Sequence, residues 1–355
     1  MYMYQALTYL MTYLMASMHA HYGEATMVFA GDAMMHQSQI DAAHQRNGEY
    51  DFNEYFKAIE PFVKEADFAV VNLETPLGGK PYAGYPCFCA PDSYAQALMD
   101  AGFDCFLTAN NHALDRSDRG VRRTIEVLDS MRMPHVGSYC DAAQRDTLLP
   151  IIQVIRGIKV GLLNYTYGTN GIPARSGAVI DYIDKDQIKK DIKKTRDAGA
   201  ELMCVCMHWG DEYKLLPNGN QKALADFLVD EGVDLVIGGH PHVIQPMEMR
   251  TRKDGKKSLV VYSLGNFISG MKTRDTKGGA MVKAYLSRNE AGVAQVDSAG
   301  YKLVFVERGT PGGRNFRLID ADSCANSQYR ADCVAFRNAA EDIFDKHNVD
   351  VPKLK

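Results

Sequence analysis

The chain has 355 residues, of which 46% are hydrophobic and 24% charged, and its formal net charge is −4. This length can bury a large core as one big domain or two ordinary ones. The charge balance argues against an electrostatic nucleic-acid binder, which would carry a basic excess, so we expect no nucleic acid among the partners.

Residues 1–25 are predicted to be an N-terminal leader or helix. Residues 4–18 are mostly apolar, and Ser17 and Ala20 are small residues near a cleavage point, but no Lys or Arg precedes Arg46. The basic region of a signal peptide is therefore missing, and a surface-packed helix or a truncated signal or anchor explains the same residues. We expect an exported or membrane-associated protein of the cell envelope, with a cytoplasmic location as the alternative.

Six apolar runs follow, and each ends in residues that can ligate a metal. They read MVFAGD up to Asp32, FAVVNLE up to Glu74, CFLTANNH up to His112, LMCVCMHWG through His208, DLVIGGHPH up to His242 and LVVYSLGNF through Asn266. Such runs are typical of strands buried on both faces. In α/β sheets, ligand sites form beyond the carboxyl ends of the strands. The pattern therefore predicts one converging site for a metal ion or a pair of them.

Helices are predicted between these strands, and hairpins at two turn signals. Arg156-Gly157 is expected to join two strands, and Asp254-Gly255 another two. A helix capped by Asp115 is expected after the third run. The other helices are expected near residues 50–65, 91–102, 185–198, 219–231 and 328–346, the last of them peripheral.

The first carboxylates have alternative roles. Asp32 can ligate a cation or cap a turn, and His36 could swing back toward it or be a surface residue. Glu74, at the mouth of a buried strand, needs a cation or an Arg as partner. Asn72 points to the same side of its strand as Glu74.

The later runs supply amide and imidazole groups. Asn111 offers a neutral oxygen ligand, and His112 beside it can act as acid or base. The helix expected after His112 favours an anionic substrate such as a phosphate. His240 and His242 can present two imidazoles to adjacent metals, with His208 at a neighbouring strand end.

Three further features are less specific. Trp209, the only Trp, is expected to form a wall of the pocket, and Asn266 is expected at its rim or in a turn. Among eight cysteines, only Cys324 and Cys333 are considered as a disulfide pair, and only if the protein is exported.

The blocks GDAMMH, VVNLETPL, TANNHALD, MHWGDEY, GGHPHVIQPME and YSLGNF resemble the CapA/PgsA capsule-synthesis (poly-gamma-glutamate synthesis) family. The resemblance runs in order from about residue 26 to 270. It implies a metallophosphoesterase-like α/β fold, a four-layer β-sandwich flanked by α-helices, over residues 26–310, with residues 311–355 as a C-terminal helical extension. It also implies one or two divalent ions (Mn, Fe or Zn), an anionic substrate and the capsule or poly-gamma-glutamate synthesis machinery as partner.

The resemblance implies a role for each residue that matches the family's motifs. Asp32 and His242 would hold the first metal, and Glu74 would bridge. Asn111, His208 and His240 would hold the second metal, with His112 as the general acid beside the leaving group. Two positions depart from the wider superfamily, because Met34 stands where a His is expected and Glu74 where an Asp is expected.

Three functions remain open at this point. The first is a metal-dependent hydrolase or transferase that acts on a phosphoester or on a cell-surface polymer such as poly-gamma-glutamate. The second is a non-catalytic, metal-containing accessory protein for polymer synthesis or export. The third is a plain soluble fold whose strand-end residues cap and pair with one another. Metal content separates the third function from the others, and activity on a generic phosphoester separates the first from the second.

Overall fold

The structure, a computed structural model, describes residues 23–355. The predicted leader lies outside the described residues except for its last three positions. The strands are β1 (Ala25–Ala33), β2 (Phe68–Leu73), β3 (Cys105–Leu107), β4 (His135–Val136), β5 (Ser138–Tyr139), β6 (Ile151–Ile155), β7 (Ile158–Thr166), β8 (Val179–Ile180), β9 (Leu202–His208), β10 (Leu235–Gly239), β11 (Ile244–Thr251), β12 (Lys257–Leu264), β13 (Asn266–Ile268), β14 (Gly278–Arg288), β15 (Ala294–Glu307) and β16 (Arg317–Asp320). The helices are α1 (Gln37–Ala43), α2 (Glu60–Lys64), α3 (Asp92–Asp100), α4 (Ser117–Ser130), α5 (Ala142–Leu148), α6 (Lys185–Asp197), α7 (Gly219–Asp230) and α8 (Arg330–His347).

Two large sheets carry the fold. The first has the order β16-β15-β14-β1-β2-β3-β4, with β13 also paired to β1, and the second has the order β11-β12-β10-β9-β7-β6. Strands β1 to β4 are parallel, and so are β7, β9, β10 and β12. Their carboxyl ends therefore carry the loops in which the sequence places its ligand-type residues.

The core fills the space between the sheets and the space beneath the helices. Strand alternation sends Met27 and Phe29 of β1 into the same cluster as Cys204 and Ile237 of the second sheet. The opposite face of the first sheet packs in a second cluster that includes residues of α3. A third cluster joins the second sheet to α6 and α7. The predicted four-layer α/β sandwich is therefore confirmed.

Two expected helices differ in the structure. Within the range 50–65 only α2 is α-helical, and it begins beside Pro61, a residue favoured in the first turn of a helix. The C-terminal helix α8 is not peripheral, because its apolar face joins the cluster between the sheets through Cys333, Phe336, Ala340 and Phe344. Strand β16 likewise extends the first sheet. The boundary at residue 310 stays a prediction, but the segment beyond it is part of the core.

Cys324 and Cys333 are free thiols in the structure, and both are buried. Burial, and then the neighbouring thiol of Cys324, raises the pKa of Cys333. Their pairing on export stays a prediction.

Candidate metal centre

Two buried carboxylates from the first sheet form the base of the site. Asp32 lies near the end of β1 and Glu74 directly follows β2, and neither side chain is exposed. Asn72 lies between them, since its Nδ2 donates to Asp32 Oδ1 at 2.8 Å and to Glu74 Oε2 at 3.3 Å. The first two apolar runs thus bring their carboxylates together, and Asn72 fixes their orientation.

Three imidazoles from the second sheet face these carboxylates. His208 Nε2 lies 3.4 Å from Glu74 Oε1, and His242 Nδ1 lies 3.2 Å from Asp32 Oδ2. The backbone N–H of His240 donates to Asp32 Oδ2 at 3.2 Å. His240 and His242 adopt φ of 100° and 57°, a region that non-glycine residues rarely occupy. Strain of this kind is characteristic of functional sites.

Asn111 completes the cluster with an amide oxygen. Its Oδ1 lies 2.8 Å from His208 Nε2, while its Nδ2 donates to Asn170 Oδ1 at 3.2 Å. Since Asn170 accepts from the amide nitrogen, the oxygen is the atom that faces the site, as a neutral ligand requires. Sequence reasoning missed Asn170, and its φ of 51° shows the turn that presents it.

The charges of the cluster call for a cation. Burial lowers the pKa of His208 to about 3 and that of His240 to about 2, so both rings are neutral, the form in which imidazole ligates a metal. Burial and the charge of Asp32 raise the pKa of Glu74. Burial alone would lower the pKa of His242, but Glu74 and Asp32 outweigh it and raise that pKa to about 9. The cluster therefore attracts positive charge.

The donor atoms fit a divalent ion. Glu74 offers a ligand atom to two groups whose atoms lie within 4.8 Å of one another, one with His240 and His242 and one with Asp32 and His208. Glu74 Oε1 and His240 Nδ1 are buried without a hydrogen-bond partner, which is costly unless an ion or ordered water satisfies them. Each group draws on both sheets. Glu74 belongs to both groups. The groups join His240 to His242 and Asp32 to His208, whereas the family resemblance implies Asp32 with His242 and His208 with His240, so the division between two metals stays a prediction.

Two glycines let the sheets approach at this point. A Cβ on Gly31 would lie 2.0 Å from the carbonyl oxygen of Gly265, and the N–H of Asp32 donates to that oxygen at 2.9 Å. A Cβ on Gly239 would lie 2.8 Å from Asp32 Oδ1. Any side chain at either position would displace the ligand residue beside it.

We expect Gly239→Ala to weaken metal binding, because Asp32 is buried and has no space to move away from the new methyl group. The overpacking should also destabilise the fold by about 1–3 kcal/mol. Elemental analysis and thermal melts measure the two effects. The matched control is Gly219→Ala, where a Cβ meets nothing within 4 Å. Full metal content in Gly239→Ala would show that Asp32 is not a ligand.

His112 lies beside the cluster and has a carboxylate partner. Its Nδ1 is 2.7 Å from Asp115 Oδ2, which also accepts from the backbone N–H of Phe88 at 2.7 Å. With Nδ1 donating to Asp115, Nε2 is the nitrogen that remains for a substrate. The prediction that Asp115 caps a helix is wrong, because α4 begins at Ser117 with Arg116 as its N-cap. Asp115 positions His112 instead.

His36 lies near the cluster but outside both donor groups. Its Nδ1 accepts from the N–H of Gly270 at 3.1 Å, and its ring meets the edge of Phe88 at 5.1 Å. His36 also provides the N-cap of α1. Met34 is buried, at the position where the wider superfamily has a His.

We therefore expect His36→Ala to leave metal stoichiometry unchanged, since the ring is held by Gly270 and Phe88.

Met34→His should instead tighten the binding of a second metal equivalent by adding an imidazole beside Asp32 and His242, the residues implied for the first metal. Equilibrium titration of the chelated protein with manganese measures both. A fall from about two equivalents toward one in His36→Ala would make His36 the substitute ligand.

Two of the expected rim residues lie elsewhere or have another role. Trp209 packs in the third core cluster, and its Nε1 donates to the carbonyl of Tyr262 at 2.8 Å, so it is not the predicted wall of a pocket. Asn266 begins β13 in register with Asp32. Its Nδ2 donates to the carbonyl of Thr276 at 2.9 Å and so anchors the following loop.

Comparisons with known proteins identify a family and relatives that this chain resembles. Residues 26–271 match the model of the family described as "Bacterial capsule synthesis protein PGA_cap". The chain is 28% identical over 289 residues to a "Capsule biosynthesis protein CapA" of Bacillus anthracis, covering 78% of this chain and 68% of that protein. It is 27% identical over 276 residues to a "PGA biosynthesis protein CapA" of Bacillus subtilis (strain 168), covering 76% and 69%.

Among solved structures, the Haemophilus influenzae NAD nucleotidase (NadN) resembles this chain with a TM-score of 0.51 at 12% identity. The match covers 89% of this chain and 56% of the nucleotidase, so this chain spans little more than half of that protein. A likeness at this identity concerns the fold alone, and it agrees with the α/β architecture of the two sheets and their flanking helices. Since the family model matches most of the chain, the protein belongs to the bacterial capsule synthesis protein family PGA_cap.

Proposed function

We propose that the protein is a divalent-metal-dependent phosphoesterase that acts in the synthesis or export of an anionic surface polymer. One observation carries the proposal. Buried, unpartnered donor atoms of Glu74 and His240 belong to two donor groups that share Glu74, beside a His112–Asp115 pair. A purely structural cluster would satisfy those atoms within the protein.

The residues divide into metal ligands and an acid. Asp32, Glu74, Asn111 and the three imidazoles would hold one or two divalent ions, and oxygen and nitrogen donors suit Mn, Fe or Zn. When bound, such an ion would supply a Lewis acid for a phosphoryl oxygen. Water would attack phosphorus as the bond to the leaving group breaks, and His112 Nε2 would protonate the departing oxygen while Asp115 stabilises the imidazolium and fixes the ring.

The partners and the location that we propose in the cell rest on the family and its named relatives. Relatives named for capsule and PGA biosynthesis support a place beside that machinery and the cell envelope as location. The anionic phosphoester substrate rests on the metal centre and His112 alone. No helix within residues 23–355 is long and apolar enough to cross a membrane.

The test is metal content and turnover together. Protein purified without chelator should contain at least one equivalent of a transition metal. It should hydrolyse an aryl phosphate or an aryl phosphodiester, and manganese should restore activity after chelation. Metal below about a tenth of an equivalent would contradict the proposed centre. Metal without turnover on either substrate would contradict the catalytic role and favour the accessory one.

A further inference from the structure

Three tyrosines with large exposed surfaces surround the candidate metal centre. Tyr85 is 76% exposed, Tyr213 55% and Tyr167 48%. They come from three separate loops, after β2, after β9 and after β7. Aromatic rings are usually buried, and an exposed group of them beside a polar site marks a binding surface.

Ring contacts place Tyr167 and Tyr213 against residues of the site, and Phe88 lies between Tyr85 and His112. The Tyr167 ring centroid lies 4.5 Å from that of His240, and its plane is 11° from the plane of His208. The Tyr213 ring is 6.3 Å from that of His242. The Tyr85 ring is 6.3 Å from Phe88, whose ring is 4.5 Å from His112. A ligand with a phosphate at the metal centre would therefore meet these rings with its remaining part.

The backbone holds Tyr213 in a costly conformation. Its φ is 64°, a region that bulky residues rarely occupy, and its N–H donates to the carbonyl of Pro241 at 2.8 Å. An exposed ring contributes little to the core, so core packing does not account for this strain. The bond to Pro241, between His240 and His242, ties the position of the ring to the metal ligands.

The charge beside the rings is negative. Glu212, an exposed carboxylate, directly precedes Tyr213 in the chain. A negative side chain beside this ring disfavours a further anionic group there. The rings therefore suit a neutral part of a ligand.

We propose that Tyr85, Tyr167 and Tyr213 bind the face of a neutral ring, a sugar or an aromatic group, that is attached to the phosphate of the substrate. The inference rests on the proposed function for the position of the phosphate. It adds the substrate class: a phosphoester whose leaving group carries a ring.

Binding of unreactive ligands tests this inference. Calorimetry on the manganese-loaded full chain would compare phenylphosphonate, a sugar-bearing methylenephosphonate and methylphosphonate, which share an anionic head and contain no cleavable ester. We expect at least one ring ligand to bind about tenfold more tightly than methylphosphonate, the scale of one stacking contact. The ring ligand that gains affinity identifies the sugar or the aromatic class.

Variants of the three tyrosines test whether these side chains cause the ring preference. Tyr167→Ala, Tyr85→Ala and Tyr213→Gly, the last compatible with the positive φ, should lose most of the ring preference and keep methylphosphonate affinity. The matched control is Tyr285→Ala, a half-buried tyrosine on β14 in register with Thr26, at the opposite end of β1 from Asp32.

The two proposals fail in different ways. The proposed role of the three tyrosines would be overturned by any of three results. These are equal affinity for ring and methyl ligands, no binding of any of the three ligands, and equal weakening of all three ligands in the variants. Ring preference without hydrolysis of any aryl phosphate would overturn the phosphoesterase activity and leave the role of the three tyrosines in ligand binding standing. Hydrolysis of an aryl phosphate without ring preference would overturn the role of the tyrosines and leave the phosphoesterase activity standing.

Discussion

Replacing Glu74 by Gln should remove the metal and the activity together. Glu74 contributes an oxygen to both donor groups, so its loss affects every ion that the cluster holds. The amide keeps the shape of the side chain and an oxygen that can accept from Asn72, so the chelated variant should melt close to the chelated wild type. Metal should then raise the melting temperature of the wild type alone, because an ion that binds the native state stabilises it.

Elemental analysis and paired melts with and without manganese measure this prediction. Glu49→Gln, on an exposed residue that bonds to Asn47, is the matched control and should behave as wild type. A Glu74→Gln protein that keeps its full metal content and its manganese-dependent melt would remove Glu74 from the centre. A variant that fails to fold even when chelated would show a structural role that the hydrogen bonds do not reveal.

Replacing His112 should leave the metal bound and remove turnover, unlike the replacement of Glu74, which should remove both. We expect His112→Ala to lower kcat by about 10²-fold or more, the scale of general acid–base catalysis. Asp115→Asn should lower kcat less, since His112 remains but loses the carboxylate that stabilises its protonated form.

A second buried histidine with a carboxylate partner, His135, is the matched control for the pair of His112 and Asp115. His135 is buried, and its Nε2 lies 3.2 Å from Asp129 Oδ1, but it precedes Val136 on β4 outside the candidate centre. His135→Ala should therefore leave kcat near wild type. Parallel loss of metal and rate in His112→Ala would make His112 a ligand. Unchanged turnover would exclude it from the mechanism.

The sequence predicted the strands and the residues that converge at their ends. Runs such as FAVVNLE and LMCVCMHWG are typical of buried strands, and parallel strands bring their carboxyl ends to one edge. This is why Glu74 and His208, which are 134 positions apart, could be expected to lie close together. Their side chains are within 3.4 Å.

Residues outside the strand ends could not be placed in this way. The local sequence around Asp115 is typical of a helix cap, and only the hydrogen bonds that its carboxylate makes to His112 Nδ1 and to the backbone N–H of Phe88 reveal another role. Tyr167 and Asn170 lie in a loop whose path has no periodic signal. Trp209 was misplaced because its position next to His208 says nothing about which face of the sheet receives its ring.

The candidate centre lies on the seam between the two sheets, and this has a consequence for biogenesis. Glu74 and Asp32 belong to the first sheet and the imidazoles to the second, so neither sheet alone contains a complete donor group. The first sheet also needs β14, which pairs with β1. Under the proposed function, metal uptake must wait until the chain has been made through β14 and both sheets have docked. The ion would then bind only to protein in which both sheets have formed.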